Sequence, residues 1–317
     1  MRKVYIFGSI NCDLVINGTR LPLIGETVSG KGFFISSGGK GANQAVSCSK
    51  LGSKAIMIGA IGNDIFGEKC LESISSYGVD TSLIQKVCGS TGIALITVVN
   101  GDNCIVLDSG ANSHINENIV IERLEQCLQS GDIVLSQLEI PMEQVIRIFD
   151  IAKRKNATTI LNPAPATKLP LALLEKTDII VPNEIELYVL TDKDNSATIT
   201  ECETELKRLG VKDVVVTLGA KGCYYNGIVY PAYKCEEVVD TIGAGDTFIG
   251  ALASQLALGK SIEESINFCQ LSAMLTVTKQ GAQSSMPTKE EVVAELYRRT
   301  HSFEKGNGGS IYKKTTV

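Results

Sequence analysis

The stretch Asp240-Thr-Ile-Gly-Ala-Gly-Asp246-Thr-Phe-Ile-Gly250 joins a glycine turn, a carboxylate and the start of an apolar helical repeat. Gly243, Ala244 and Gly245 would then lie at the head of a helix, where amide N–H groups lack intrahelical partners and the dipole favours an anion. Asp246 falls in the first turn, beside the place where a phosphoryl group would rest. A carboxylate there can take the proton of an attacking hydroxyl while the amides carry the charge of the transferring group. An ordinary helix start with a dipole-favoured acid has the same local sequence, so the rest of the chain must decide.

Other residues could serve such a reaction. Gly38-Gly39-Lys40-Gly41-Ala42-Asn43-Gln44 also opens a helix and sets a cation and an amide beside closely approaching backbone, which suits a polyhydroxylated ligand. A plain loop-to-helix turn with a solvated lysine looks similar. Asn11 and Asp13 follow the first apolar run, and Glu139 follows another. Paired donors and acceptors at strand exits can grip vicinal hydroxyls, although Asn and Asp also favour turns for local reasons. Asn183 and Glu186 can hold magnesium-bound water or simply cap a helix. The turn Thr217-Leu218-Gly219-Ala220-Lys221-Gly222 can admit the flat face and ribose of a nucleotide.

The familiar nucleotide fingerprints are missing. Gly25 to Lys31 has the glycine and lysine spacing of a P-loop but places Gly32 where a hydroxyl is needed, and no G-x-G-x-x-G follows a strand. The ten cysteines never approach C-x-x-C spacing, which argues against zinc and for reduced thiols. A net charge of −5 with scattered Lys and Arg gives no basic stripe for nucleic acid. No run reaches membrane-spanning length, and the apolar residues 4–7 give way to Gly8 and Asn11 too early for a signal peptide. The expected location is the cytoplasm.

The elements that must position these residues show in the hydrophobic period. Short β-branched runs at 4–7, 55–61, 133–135, 158–161, 179–181 and 214–217 alternate with helical spacing at 43–51, 66–77 and 142–155. This pattern predicts an α/β fold: a mostly parallel sheet covered on both faces, with ligands at the strands' carboxyl ends. Residues 14–37 and 92–107 carry alternating segments and turns, and read as a small β lid or, alternatively, a long hairpin without a role. Helices are expected at 243–258, 261–279 and 289–299, making 1–300 one kinase-sized domain. The polar, Gly-rich stretch 301–317 is expected to be a disordered tail.

Read in order, these stretches resemble the phosphofructokinase-B-type carbohydrate kinases. The resemblance runs from Gly8-Ser-Ile-Asn11-Cys-Asp13 through Gly38 to Gln44, Ser90-Thr-Gly-Ile-Ala, Gly110 to Ile115, Leu161 to Ala166 and Pro182 to Glu186, ending with Asp240 to Leu252 and Thr278 to Gln283. Several motifs in the right order are far more specific than any one alone. The resemblance implies a Rossmann-like sheet with a β lid that contributes to a homodimer, and transfer of the ATP γ-phosphate to the 5-hydroxyl of ribose. It makes Asp246 the base and assigns the anion hole to the amides of Gly243, Ala244 and Gly245. Asn11, Asp13, Gly39, Lys40, Asn43 and Glu139 would contact the sugar. Asn183 and the turn from Thr217 to Gly222 would meet ATP, with Glu186 near its Mg2+. A monovalent cation, usually K+, would lie among Asp240, Ile242, Thr276, Lys279, Gly281 and Ser285.

Two positions depart from the family pattern. Gln270 stands where His or Asn is common beside adenine, and Lys279 where Arg is frequent, a change to which a carbonyl ligand is indifferent. Fructose, adenosine or another nucleoside remain alternative acceptors, with Phe33 and Phe34 available in the lid to meet a base. A non-catalytic sugar sensor is the reading from another class, disfavoured by the retained base and glycine turn.

Overall fold

The computed structural model describes residues 2–99 and 102–303. Its apolar runs pair in parallel at the centre of a sheet. Strand β1 (Lys3–Phe7) lies between β4 (Lys54–Gly62) and β8 (Ile133–Ser136). Beyond β8 come β9 (Thr158–Leu161), β10 (Ile179–Ile180) and β11 (Asp213–Thr217), while β5 (Asp80–Val87) forms the edge beyond β4. The antiparallel pair β12 (Cys223–Tyr225) and β13 (Ile228–Tyr230) completes the nine-stranded sheet.

Alternation along β1 shows how both faces are covered. Val4 and Ile6 point into a core closed by helices α1 (Lys40–Lys50), α2 (Ile65–Ser76), α8 (Ala244–Ala257), α9 (Ile262–Val277) and α10 (Lys289–Phe303). Tyr5 and Phe7 point the other way, into a core closed by α3 (Glu117–Cys127), α4 (Met142–Arg154), α5 (Leu171–Leu174), α6 (Glu184–Thr191) and α7 (Ile199–Arg208). Burial on both faces explains why the central strands read as continuous apolar runs.

The lid is a separate four-stranded sheet in the order β3 (Gly30–Gly38), β2 (Asn11–Gly18), β6 (Gly92–Val99), β7 (Asp102–Asp108), with β2 and β6 parallel. Its own core is small, comprising Val15, Ala94 and Ile96. Phe33, Leu95, Ile105 and Val106 remain more than half exposed on it.

The structure corrects the sequence reading in several places. Asn11 and Asp13, expected at the exit of the first strand, lie inside β2, so the lid begins earlier than expected. Asp102 and Asn103, read as turn residues, belong to β7; residues 100–101 lie outside the described residues. Strands β5, β12 and β13 and helices α3, α5 and α7 were not anticipated, whereas α6 is the helix that the capping reading of Asn183 and Glu186 allowed. Helix α10 extends to Phe303, past the expected boundary, and the rest of the expected tail, 304–317, lies outside the described residues.

Candidate active site

The turn after β1, the start of α1, the loop after β8 and the start of α8 meet at the carboxyl ends of the central strands. Their approach depends on glycine. A Cβ at Gly41 would stand 2.6 Å from the Gly8 carbonyl carbon and the Ser9 nitrogen, so only a bare residue lets α1 pack on the turn after β1. Gly243, the N-cap of α8, has φ 76°, the left-handed region that other residues enter only at a cost.

Asp246 sits in the first turn of α8 with both carboxylate oxygens engaged by α1. Asn43 Nδ2 donates to Oδ2 at 3.0 Å and Gln44 Nε2 donates to Oδ1 at 2.9 Å. These amides are themselves held. Gln44 is fully buried, also donates to Asn162 Oδ1 at 3.1 Å and accepts from Gln137 Nε2 at 2.5 Å. Asn43 Oδ1 accepts from Gln283 Nε2 at 3.2 Å.

Burial pushes the Asp246 carboxyl above its ordinary value, against the opposing pull of Lys40 and of its bonds to Asn43 and Gln44, with nearby Glu139 adding to the rise. For Lys40, burial works against its charge, but Asp246, Glu139 and Glu186 outweigh it and raise its pKa. The ammonium is therefore charged at neutral pH, between the base and Glu186.

The residues expected to contact the sugar form a second network. Asn112 Nδ2 donates to Asn11 Oδ1 at 2.7 Å, while Asn112 Oδ1 accepts from the Ile10 amide at 2.9 Å, fixing the root of the lid. Glu139 Oε2 accepts from Ser9 Oγ at 2.6 Å and from the Lys40 amide at 3.3 Å. Asp13 is pushed up to about 7 by burial, reinforced by Glu139 and Asp246. Asp13, Glu139 and Asp246 carry oxygens that can accept from hydroxyls, the last two within electrostatic reach of the Lys40 ammonium.

Along α8 a cleft of about 180 Å³ runs from Asp246 and Lys40 past Gly245 to Asn183, Glu186 and Thr217. A Cβ at Gly245 would meet nothing within 4 Å, so the helix start opens to the cleft. Of the expected anion-hole amides, Ala244 donates to the Thr241 carbonyl at 3.3 Å, whereas no bond within the described residues takes up the N–H of Gly243 or Gly245. Asn183 caps α6 in a capping box with Glu186: each side chain takes the other's backbone N–H at 2.8 Å. One Glu186 oxygen and the Asn183 amide nitrogen stay available, and burial raises the Glu186 carboxyl against its bond to the Asn183 amide and the pull of Lys40.

The turn after β11 closes through Leu218 N to Gly222 O at 2.8 Å, with Lys221 paired to Glu184 at 3.3 Å. Ala220 lies exposed within it, in the short 3-10 turn Gly219–Lys221. Gln270 is placed differently from a ligand contact: it is buried, and its amide donates to the Tyr230 carbonyl at 3.1 Å. The expected cation residues come together at the α8 and α9 ends. Asp240 accepts from Ile242 N at 3.0 Å and Gly281 N at 2.9 Å, and Thr276 O accepts from Lys279 N at 3.1 Å. Buried Ser285 turns back on Ala282, which a Cβ at Gly243 would meet at 3.3 Å, and the Lys279 side chain points away to Glu291 at 2.8 Å.

Sequence reasoning missed Gln44, Asn112, Gln137, Asn162 and Gln283. Only Gln44, Asn112, Asn162 and Gln283 lie inside motifs that carried the resemblance; nothing local marks Gln137.

A lid over the carboxyl ends of a parallel sheet, with a carboxylate at a glycine-turned helix start, defines a phosphotransferase acting on an alcohol. The chain belongs to the pfkB family of carbohydrate kinases, whose model matches residues 1–289. It is 40% identical to the ribokinase of Haemophilus influenzae over 305 residues, 93% of this chain and 99% of that protein. It is 35% identical to the deoxyribokinase of Salmonella typhi, covering 91% of this chain and 96% of that protein. The structure of Arabidopsis thaliana ribokinase complexed with ribose and ATP superposes with a TM-score of 0.86 at 34% identity, covering 93% of this chain and 99% of that one.

Proposed function

We propose that this protein phosphorylates D-ribose on its 5-hydroxyl, giving ribose 5-phosphate and ADP, with Asp246 as the base. The observation that carries the reading is Asp246 in the first turn of α8, held by Asn43 and Gln44 and facing the cleft at the carboxyl ends of the central strands. In this reading Asn11, Asp13, Gly39, Lys40, Asn43 and Glu139 hold the sugar. Asp246 draws the proton from the 5-hydroxyl as its oxygen attacks the γ-phosphorus in line. The developing charge meets the amides of Gly243 and Gly245, the α8 dipole and the Lys40 ammonium.

ATP fits the cleft from Gly245 to the turn after β11. Glu186 and Asn183 supply oxygen and amide groups suited to Mg2+ and its waters, which when bound would neutralise phosphate charge. The segments tied together through the Asp240 carboxylate, with the Lys279 side chain turned out to Glu291, suit a monovalent ion such as K+. The exposed apolar residues of the lid support a homodimer formed through it. No helix among the described residues is long and apolar enough to cross a membrane, and the ten cysteines are free, which supports a cytoplasmic location.

ADP release measured with ribose, deoxyribose, fructose and adenosine tests the proposal. Ribose should give the highest kcat/KM. Preference for another acceptor would overturn the substrate, and ribose binding without turnover would favour the sensor.

A further inference from the structure

A second cleft opens at the opposite end of the sheet, where β1, β4 and β5 begin. It encloses about 350 Å³, more than the catalytic cleft, and the length of β1 separates the two, roughly 16 Å at about 3.3 Å per residue. Lys3 of β1 and Lys54 of β4 are direct partners in the parallel register, so their side chains leave the same face side by side. Tyr5 and Ile56 are the next pair on that face and form the floor with Leu83. Arg123 of α3 brings a third cation from above.

Neighbouring like charges across two strands oppose folding, and the usual remedy is a carboxylate. Here that remedy is largely absent. Among the described residues, none of Lys3, Lys54 and Arg123 has an ion pair, although Lys86, Arg147, Arg154 and Lys155 on flanking elements do. The α3 carboxylates turn elsewhere: Glu117 pairs with Arg147, Glu125 with Arg154 and Lys155, and Glu122 accepts from Gln126. Asp132, behind Lys3, spends its oxygens on the Lys3 and Gln129 amides at 2.8 and 2.9 Å. Asp80 is the one carboxylate in the lining, held low by its bonds to Ser82 and by Lys54 and Lys3. Three cations against one carboxylate leave an excess of two positive charges over an apolar floor.

We infer that this basal cleft binds a small phosphomonoester. Its phosphate, near a charge of −2 at neutral pH, would sit among Lys3, Lys54 and Arg123, with its organic body on Tyr5, Ile56 and Leu83. The Ser82 hydroxyl and the Gln126 amide, both in the lining, supply further polar contacts.

Calorimetric titration with glucose 6-phosphate tests this, with ribose and a non-hydrolysable ATP analogue filling the catalytic cleft. The expected result is one saturable binding event, absent with glucose. The event should weaken at least tenfold in the Lys3→Gln/Lys54→Gln variant and also in Arg123→Gln, while ribose turnover stays within about twofold. No saturable binding, equal affinity in the variants, or binding of inorganic phosphate without glucose 6-phosphate would each overturn the inference.

Discussion

Replacing Gln44 with Met keeps the length of the side chain but removes every polar contact it makes. Asp246 Oδ1 then loses the donor at 2.9 Å, Asn162 Oδ1 the donor at 3.1 Å, and Gln137 Nε2 its acceptor at 2.5 Å. Leaving the two buried partners unpaired costs about 1–3 kcal/mol each, or about 2–6 kcal/mol together, a large share of the roughly 5–15 kcal/mol that holds a domain folded. A fall of several degrees in Tm is therefore expected. The bond to the carboxylate is a different matter, because it favours the ionised base. A hydrogen bond to a charged group contributes about 1.5–3 kcal/mol, which at 1.36 kcal/mol per tenfold corresponds to a loss of about 10- to 150-fold in turnover. Without it the Asp246 pKa rises further, so the acid limb of kcat must move to higher pH, while KM for ribose changes little. The assay is a pH–rate profile below the variant's Tm. If the folded variant keeps its acid limb and its kcat, Gln44 is only packing, and the reasoning from geometry to basicity fails.

Asp246→Asn should retain ribose and ATP binding, measured by calorimetry, and lose on the order of a hundredfold or more in kcat; near-normal turnover would remove the general base. Asp13 carries a pH signature: raised from 3.8 to about 7, it keeps its proton in the folded protein while the unfolded chain has lost it. Its favourable contribution to stability is thus present below about pH 4 and lost as pH rises through 7. Ribose hydroxyls donating to this carboxylate should expel the proton, so the binding enthalpy near pH 6 should vary with buffer ionisation in the native protein and much less in Asp13→Asn. Turnover should be faster in KCl than in NaCl at equal ionic strength, and equal rates in an active preparation would refute the cation site around Asp240.

Much of the scaffold was legible because burial on both faces writes strands as apolar runs. Strand β9 fell on the expected residues and α8 within one of each end. The stretch around Asp246 was legible as a candidate site because a glycine turn and an acid adjoin in sequence. The edge strand β5 was not, since its residues are mostly half-buried and show no clean alternation. Asn11 and Asp13 were read at a strand exit rather than inside a lid strand because their strand is defined by pairing with β6, some eighty residues on, which a local reading cannot detect. The clamp on Asp246 was hidden for the same reason: Gln44 meets its partners across 202, 118 and 93 residues of sequence. Amides buried by such distant contacts look, in sequence, like any polar residue on a helix.

Only Gly8, Ser9 and Ile10 separate the end of β1 from the start of β2. The strand that carries Asn11 and Asp13 is therefore joined to the main sheet through three buried residues, while Asp246 and its amides belong to the main body. On the proposed reading the lid supplies only Asn11 and Asp13 of the sugar grip, because Gly39, Lys40, Asn43 and Glu139 stay with Asp246 on the main body. Transplanting the lid strands between relatives should retune which sugar is accepted while leaving the transfer machinery intact.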